Sequence, residues 1–169
     1  DKVKNEQIIL IHNGSEKRHV DKLKNYFPNI QHLVLNKNFG WTGGVNRGLD
    51  FVFEQFSWCL LLTNDTELIE LNFDWINHES SLVAPLIYFR KEPRVDSIGA
   101  IFRPWLTQLQ HLREERSYSS SEFFYVPGTA FAIHRDFYKT NGKFDENLHT
   151  YWEDVDYSCR AFQKGLKLC

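Results

Sequence analysis

Three short stretches of this sequence carry residue types and spacings that can do chemistry. The first is Thr63-Asn64-Asp65-Thr66, where an acid follows directly on the apolar run from Trp58. An acid at the end of a buried strand sits at the carboxyl edge of the sheet, where open α/β sheets bind ligands. A hard cation, Mg²⁺ or Mn²⁺, prefers such a carboxylate and completes its shell with phosphate and water. Asp65 can equally cap a helix starting near Glu67, and the two roles are compatible. The second stretch is Tyr151-Trp152-Glu153-Asp154-Val155-Asp156, which puts three carboxylates at a helix start, where the dipole favours negative charge. Its plain reading is capping plus an Asp156–Arg160 pair one turn apart. Its chemical reading is a general base, because a hydroxyl is a poor nucleophile until a carboxylate within reach takes its proton. Adjacent side chains diverge, so one of Glu153 and Asp154 faces the site and the other supports it.

The third stretch, Asn38-Phe39-Gly40-Trp41-Thr42-Gly43-Gly44-Val45-Asn46, lets backbone amides approach a phosphate or ribose and leads into an anion-favouring helix start. It lacks the Gly-Lys-Ser/Thr of a P-loop and the spacing of the dinucleotide fingerprint, so by itself it reads as a turn. Two further turns, Val126-Pro127-Gly128-Thr129-Ala130 and Gly142-Lys143-Phe144-Asp145-Glu146, bring small residues that allow a substrate close to backbone. The seven histidines show no ligand-like spacing.

The elements that must position these residues follow from periodicity. Gln7–Ile11 reads as a buried strand, 16–27 as a helix stopped by Pro28, and Ile30–Leu35 as a second strand. Residues 36–46 read as a loop. A helix is expected from Val45, with Val45, Leu49, Val52, Phe53 and Phe56 on one face. Trp58–Thr63 is a third strand. This alternation predicts a parallel, doubly wound sheet with right-handed crossovers. Beyond it, 82–88, 95–102 and 123–134 read as strands, 107–122 as a polar mobile loop, and 153–164 as a helix closed by Gly165.

The bulk numbers narrow the class. The 169 residues suit one domain, 42% of them are hydrophobic and 15% aromatic, and nothing in the net charge of −2 suggests a nucleic-acid or polybasic membrane surface. Cys59, Cys159 and Cys169 are too few and too scattered for a disulfide framework or a zinc site, which points to a reducing, cytoplasmic setting. No apolar run is long enough to span a bilayer. Both ends are expected to be cut.

Taken in order, His12-Asn13-Gly14-Ser15, Asn38-Phe39-Gly40 with Gly43, Gly44 and Asn46, Leu61 to Thr66, Gly128-Thr129-Ala130, Gly142 to Glu146, and Trp152 to Asp156 with Arg160 and Gly165 resemble the family-2 glycosyltransferases, in particular the branch of bacterial rhamnosyl- and galactosyltransferases. The resemblance implies a GT-A fold with a mainly parallel central sheet flanked by helices, in one domain: a nucleotide-binding half of about 1–66 and an acceptor half of about 67–169. It implies inverting transfer from a UDP-, dTDP- or GDP-linked sugar to a glycan or lipid-linked acceptor in surface polysaccharide synthesis, with Mg²⁺ or Mn²⁺ as cofactor. Asp65 then resembles the metal residue. His12, Asn13, Asn38, Gly43, Gly44, Asn46 and Asn64 fall at the donor, Gly128, Thr129 and Trp152 at the acceptor, and Asp154, with Glu153 beside it, at the base. Trp41, Trp105 and Trp152 are stacking or core candidates. His12 stands where an acid is usual, and Thr63 where the metal motif has a more polar residue. A further metal histidine is expected beyond Cys169, and the first strand before Gln7. The location implied is the cytoplasm, with peripheral association at the inner face of the membrane as an option. Two rival classes are a degenerate saccharide- or protein-binding module and a nucleotidyltransferase. The latter needs a basic glycine-rich loop after the first strand, which is absent.

Overall fold

The computed structural model describes residues 3–71, 81–92, 94–114, 122–149 and 151–169. Branched and apolar side chains at 9–13 form β1 (Ile9–Asn13), which pairs in parallel with β2 (Gln31–Leu35) across helix α1 (Lys17–Tyr26). Asn13 at the tip of β1 lies opposite Leu35. Helix α2 spans Gly40–Phe53 and β3 spans Trp58–Leu62. The strand–helix–strand–helix–strand order expected for the first 62 residues is therefore present.

Helix α2 begins five residues earlier than its periodicity indicates. Gly43 and Gly44 are helical and buried, while Gly40, where α2 begins, has a left-handed φ of +73°. A Cβ on Gly44 would lie 2.8 Å from Asn13 Nδ2, and one on Gly48 would collide with Ile11 Cδ1. Only glycine lets the helix ride this closely on β1, at the usual cost in helix propensity.

The central sheet is mixed where a mainly parallel one was expected. Its order is β11 (Lys167–Leu168), β4 (Ser81–Val83), β10 (Ala130–His134), β3. Strand β10 runs antiparallel to both β3 and β4, whereas β11 is parallel to β4. The apolar stretch 82–88 divides into β4 and β5 (Ile87–Tyr88), and 95–102 divides into β6 (Val95–Ser97) and β7 (Ala100–Arg103) at Gly99, whose φ is +126°. The start of the expected loop 107–122 is β8 (Gln108–His111), paired with β7; 115–121 lie outside the described residues. Likewise 123–134 is two strands, β9 (Phe123–Tyr125) and β10, separated by the turn 126–129. Helix α3 (Arg135–Asn141) was not expected. His134 caps it by accepting from the Asp136 amide at 3.1 Å. Helix α4 (Glu153–Gln163) ends at Gly165 in the left-handed region, as expected.

The core lies between α2, β10, α3 and α4. Phe131, Phe137, Phe144 and Tyr157 fill it, with the Phe144 and Tyr157 rings stacked at 3.8 Å. Cys59 is packed against this core, and burial pushes its thiol up to about 12, so it behaves as a small apolar side chain. No helix among the described residues is long and apolar enough to cross a membrane.

Asn46 ties the two halves of the chain together. It is 1% exposed, its Nδ2 donates to Phe144 O at 2.9 Å, and its Oδ1 accepts from Phe144 N at 2.9 Å. Replacing it with Ala strands both backbone groups of Phe144 in the interior. Asn46→Ala should therefore lose about 2–3 kcal/mol in urea unfolding. A loss below about 0.5 kcal/mol, the range of ordinary surface changes, would contradict that role.

Candidate active site

Two acids are tied to the turn between β9 and β10, one through Thr63 and the other directly. From one side, Thr63, just past β3, donates its amide to Thr129 O at 3.1 Å. The Thr63 hydroxyl lies 2.6 Å from Asp65 Oδ1 and 3.0 Å from Thr129 O. It has one hydrogen, and the shorter, charged contact takes it. Thr66 Oγ1, 2.9 Å from the Thr63 hydroxyl oxygen, can donate to it in turn. Asp65 is thus held at the strand tip with its carboxylate exposed. Residues 66–71 form no regular element, so Asp65 caps no helix there.

From the other side, Gly128 N donates to Asp154 Oδ2 at 2.9 Å, and Val155 N donates to Asp154 Oδ1 at 2.8 Å. Consecutive residues of one turn, Gly128 and Thr129, are therefore bonded to the acid at α4 and to the neighbour of the acid at β3. Each Asp154 oxygen keeps a free lone pair after these bonds. Gly128 has a second requirement: a Cβ there would meet the Trp41 ring at 3.1 Å.

Glu153 points elsewhere. It is 8% exposed and its Oε2 has no hydrogen-bond partner. Burial, and then the charge of Asp154, raise its carboxyl above the usual range. Tyr125 at the end of β9 is also near Asp154; burial first, then that charge, push its hydroxyl up to about 12. Asp156 forms the expected pair with Arg160 at 2.8 Å. The chain enters α4 under backbone strain: His149, Tyr151 and Trp152 have φ of 47°, 72° and 69°. Left-handed conformations of such residues cost about 1–3 kcal/mol each and cluster at functional sites. Tyr151 is 80% exposed, and Trp152 meets Phe102 edge-on at 5.6 Å.

The glycine-rich segment is clamped by β1. Asn13 Nδ2 donates to Gly40 O at 2.8 Å, Asn13 Oδ1 accepts from Phe39 N at 3.0 Å, and Asn38 Oδ1 accepts from Gly40 N at 2.8 Å. His149 O accepts from Trp41 N at 3.1 Å and Thr42 N at 3.5 Å. The first amides of α2, expected to be open to an anion, thus already have protein acceptors. Arg47 donates to Gly43 O at 2.8 Å and to Glu146 Oε1 at 3.0 Å, with its guanidinium 3.7 Å from the centre of the Phe39 ring. Asn46, and after it Arg47, hold the Glu146 carboxyl below its ordinary value against some desolvation.

Several expected site residues are brought together and others are not. Asp65, Thr129, Gly128, Asp154 and Trp41 form one connected set, and Asn13, Asn38 and Gly40 form the segment leading to Trp41. Asn64 is exposed beside Asp65, whereas Gly43 and Gly44 are buried in α2. His12 and Asn46, expected at the donor, differ from that expectation. His12 is 2% exposed, its Nε2 lies 2.9 Å from His32 Nδ1, and burial followed by the charges of His32 and Lys24 lowers its pKa. The Nε2 of His12 and both amide atoms of Asn46 thus have partners within the protein. Trp105 is exposed and Trp41 packs edge-on to Phe144, 5.4 Å between ring centres. His149 and Tyr125 went unnoticed in the sequence, since neither has a local signal. Among the described residues no three His, Cys, Asp or Glu side chains converge as a metal cage. Asp65 alone fits a cation that draws most of its shell from substrate phosphate and water. Shallow clefts lie elsewhere, between α2 and α3 and beside β8.

Comparison with known proteins agrees with this architecture. Residues 2–142 match the model of glycosyl transferase family 2, and the chain belongs to that family. The solved structure of GalNAc-T7 with UDP, GalNAc and Mn²⁺ superposes with a TM-score of 0.67 at 17% identity, covering 96% of this chain and 36% of that one. The likeness establishes the GT-A type of fold, and this chain spans about a third of that relative. No curated protein matches the sequence.

The raised carboxyl of Glu153 has a signed consequence. Below the usual carboxylate range both folded and unfolded states hold the proton, and the group costs nothing. As pH rises past that range the unfolded state ionises first, and stability falls. Glu153→Gln should raise Tm at pH 7, with the gain shrinking towards pH 4. A variant less stable than wild type by the same amount at both pH values would refute this reading of Glu153.

Proposed function

We propose that this chain forms a single glycosyltransferase domain that moves a sugar from a nucleoside diphosphate to an acceptor hydroxyl in one inverting displacement. The observation that carries the reading is the turn at 128–129, bonded on one side to Asp154 and on the other to Thr63, the hydroxyl partner of Asp65. An acceptor and a leaving diphosphate must meet at one point, and this turn supports such a meeting of a base with a phosphate-side acid.

In this reading Asp154 accepts the proton of the acceptor hydroxyl, whose oxygen attacks the anomeric carbon. The bond from that carbon to the diphosphate breaks, and the diphosphate leaves with the electron pair. Asp65 would hold Mg²⁺ or Mn²⁺, which would supply charge neutralisation at the leaving diphosphate. The Gly128 amide holds the base in place, and Glu153 keeps the start of α4 buried. Asn13, Asn38 and Asn64 line the donor side, with Gly43, Gly44, His12 and Asn46 supporting it from behind. Gly128, Thr129 and Trp152 lie on the acceptor side. The division falls near residue 66. UDP is the first nucleotide to test, because the structural relative was solved with it. A glycan or lipid-linked acceptor, a role in surface polysaccharide and a cytoplasmic location complete the proposal.

One observation favours a second reading, a non-catalytic saccharide- or protein-binding module: among the described residues no three acid, His or Cys side chains come together to hold a metal. The two readings separate in the full-length protein. On the transfer reading, UDP binds with Mn²⁺ in calorimetric titration, Asp65→Ala removes the Mn²⁺-dependent part, and Asp154→Asn lowers turnover about 10²–10⁴-fold while leaving UDP affinity unchanged. Absence of binding by UDP, dTDP and GDP alike would favour the module, and near wild-type turnover of Asp154→Asn would remove that residue from the mechanism.

A further inference from the structure

Trp41 stands at the opening of α2, in the segment clamped by Asn13, yet its ring lies against the turn that holds Asp154. The contacts form a continuous chain. Trp41 N donates to His149 O at 3.1 Å, which fixes the backbone end of the residue. The indole meets Phe144 edge-on with 5.4 Å between ring centres, which fixes the far end. Between these anchors, the six-membered edge of the ring faces Gly128 so closely that a methyl group there would sit 3.1 Å from Cζ2 and 3.3 Å from Cη2. On the same side of Gly128, that methyl would be 3.8 Å from Asp154 Cβ. Gly128 N in turn donates to Asp154 Oδ2.

We propose that Trp41 is a positioning residue that sets Asp154 through Gly128, so that the segment opening α2 and the acid opening α4 form one mechanical unit. A glycine has no side chain to hold its own place, and its amide can swing through a wide range of dihedral angles. The indole removes that freedom by occupying the space into which the turn would otherwise relax. Close-packed contacts of this kind transmit displacement because interiors have little compressibility. The chain of contacts therefore leads from Asn13 and the 38–40 segment, through Trp41 and Gly128, to the carboxylate. Its relevance to turnover rests on Asp154 being the base; the coupling itself does not.

The test reads the coupling rather than catalysis. In carboxyl-labelled protein, the Asp154 ionisation is followed by ¹³C NMR, and the Gly128 amide by ¹⁵N–¹H correlation, across a pH titration. The titratable groups facing Asp154 among the described residues are Glu153 on its own helix and Tyr125 on β9. Tyr125 ionises far above the carboxyl range, and a Glu153→Gln background removes the other. In that background the Gly128 amide shift should follow the Asp154 midpoint. Trp41→Leu should abolish that dependence and raise the Asp154 midpoint, because an amide bond to the ionised form is lost. Trp41→Phe, whose shorter side chain lacks the Cζ2 and Cη2 edge that faces Gly128, should behave as Trp41→Leu does. Should Trp41→Leu lose the fold, Gly128→Ala carries the test, since its methyl presses on the indole from the other side and should shift the midpoint in the same direction. An unchanged Asp154 midpoint in the folded variants overturns the proposal. A normal titration in a protein whose Asp154→Asn form transfers sugar at the wild-type rate would instead sink the catalytic reading and leave the coupling standing.

Discussion

The hydrogen bond from the Gly128 amide to the Asp154 carboxylate is the constraint on which the site depends. An acid at a helix start is common, and it ordinarily turns to its own first-turn amides or to water. Here one oxygen does bond its neighbour, Val155, while the other is drawn across to a turn on a different strand pair. Because the same turn is tied through Thr129 to the end of β3, the position of Asp154 is set relative to Asp65 and not merely to its own helix. A charge-assisted bond to a carboxylate is about twice as strong as a neutral one, which suits it to hold a loop of small residues in one shape.

The rest of the fold reads as support for that turn. Strand β10 leaves it directly and lies between β3 and β4 in the central sheet, while β9, which enters it, pairs with β7 in a separate sheet. Helix α2 closes the other side because its glycines allow it to sit against β1, which brings Trp41 up to Gly128. Asn46, one turn further along α2, bonds both backbone groups of Phe144, whose ring stacks on Tyr157 of α4. The helix carrying Trp41 and the helix carrying Asp154 are thus locked to each other at two levels. Strain in the left-handed residues before α4 is tolerated because those contacts determine where the helix must begin.

Much of this was legible in the sequence, and the remainder was not for identifiable reasons. The first three strands and two helices follow local periodicity, which a single chain displays. The placement of Asp65 after a strand and of Glu153 and Asp154 at a helix start could be read the same way. The insertion of β10 between β3 and β4 could not, since its partner residues lie about seventy positions apart in the case of Leu62 and Ala130. The glycines of α2 display locally only a turn-forming habit, while the demand met at Gly44 and Gly48 comes from Asn13 and Ile11 on another element. His12 and Asn46 misled in the opposite sense: polar residues within a binding motif whose side chains close on the protein interior. The approach of Trp41 to Gly128 leaves no trace in spacing at all.

If Asp65 and Asp154 serve one site, paramagnetic relaxation will reveal it. Mn²⁺ added with UDP to ¹⁵N-labelled protein would broaden amide signals near the bound ion. The account predicts that Asn64, Asp65 and Thr66 broaden together with Gly128, Thr129 and Val155, and that excess Mg²⁺ restores them as a set. Broadening confined to the end of β3, with Gly128 and Val155 untouched at saturation, would contradict it.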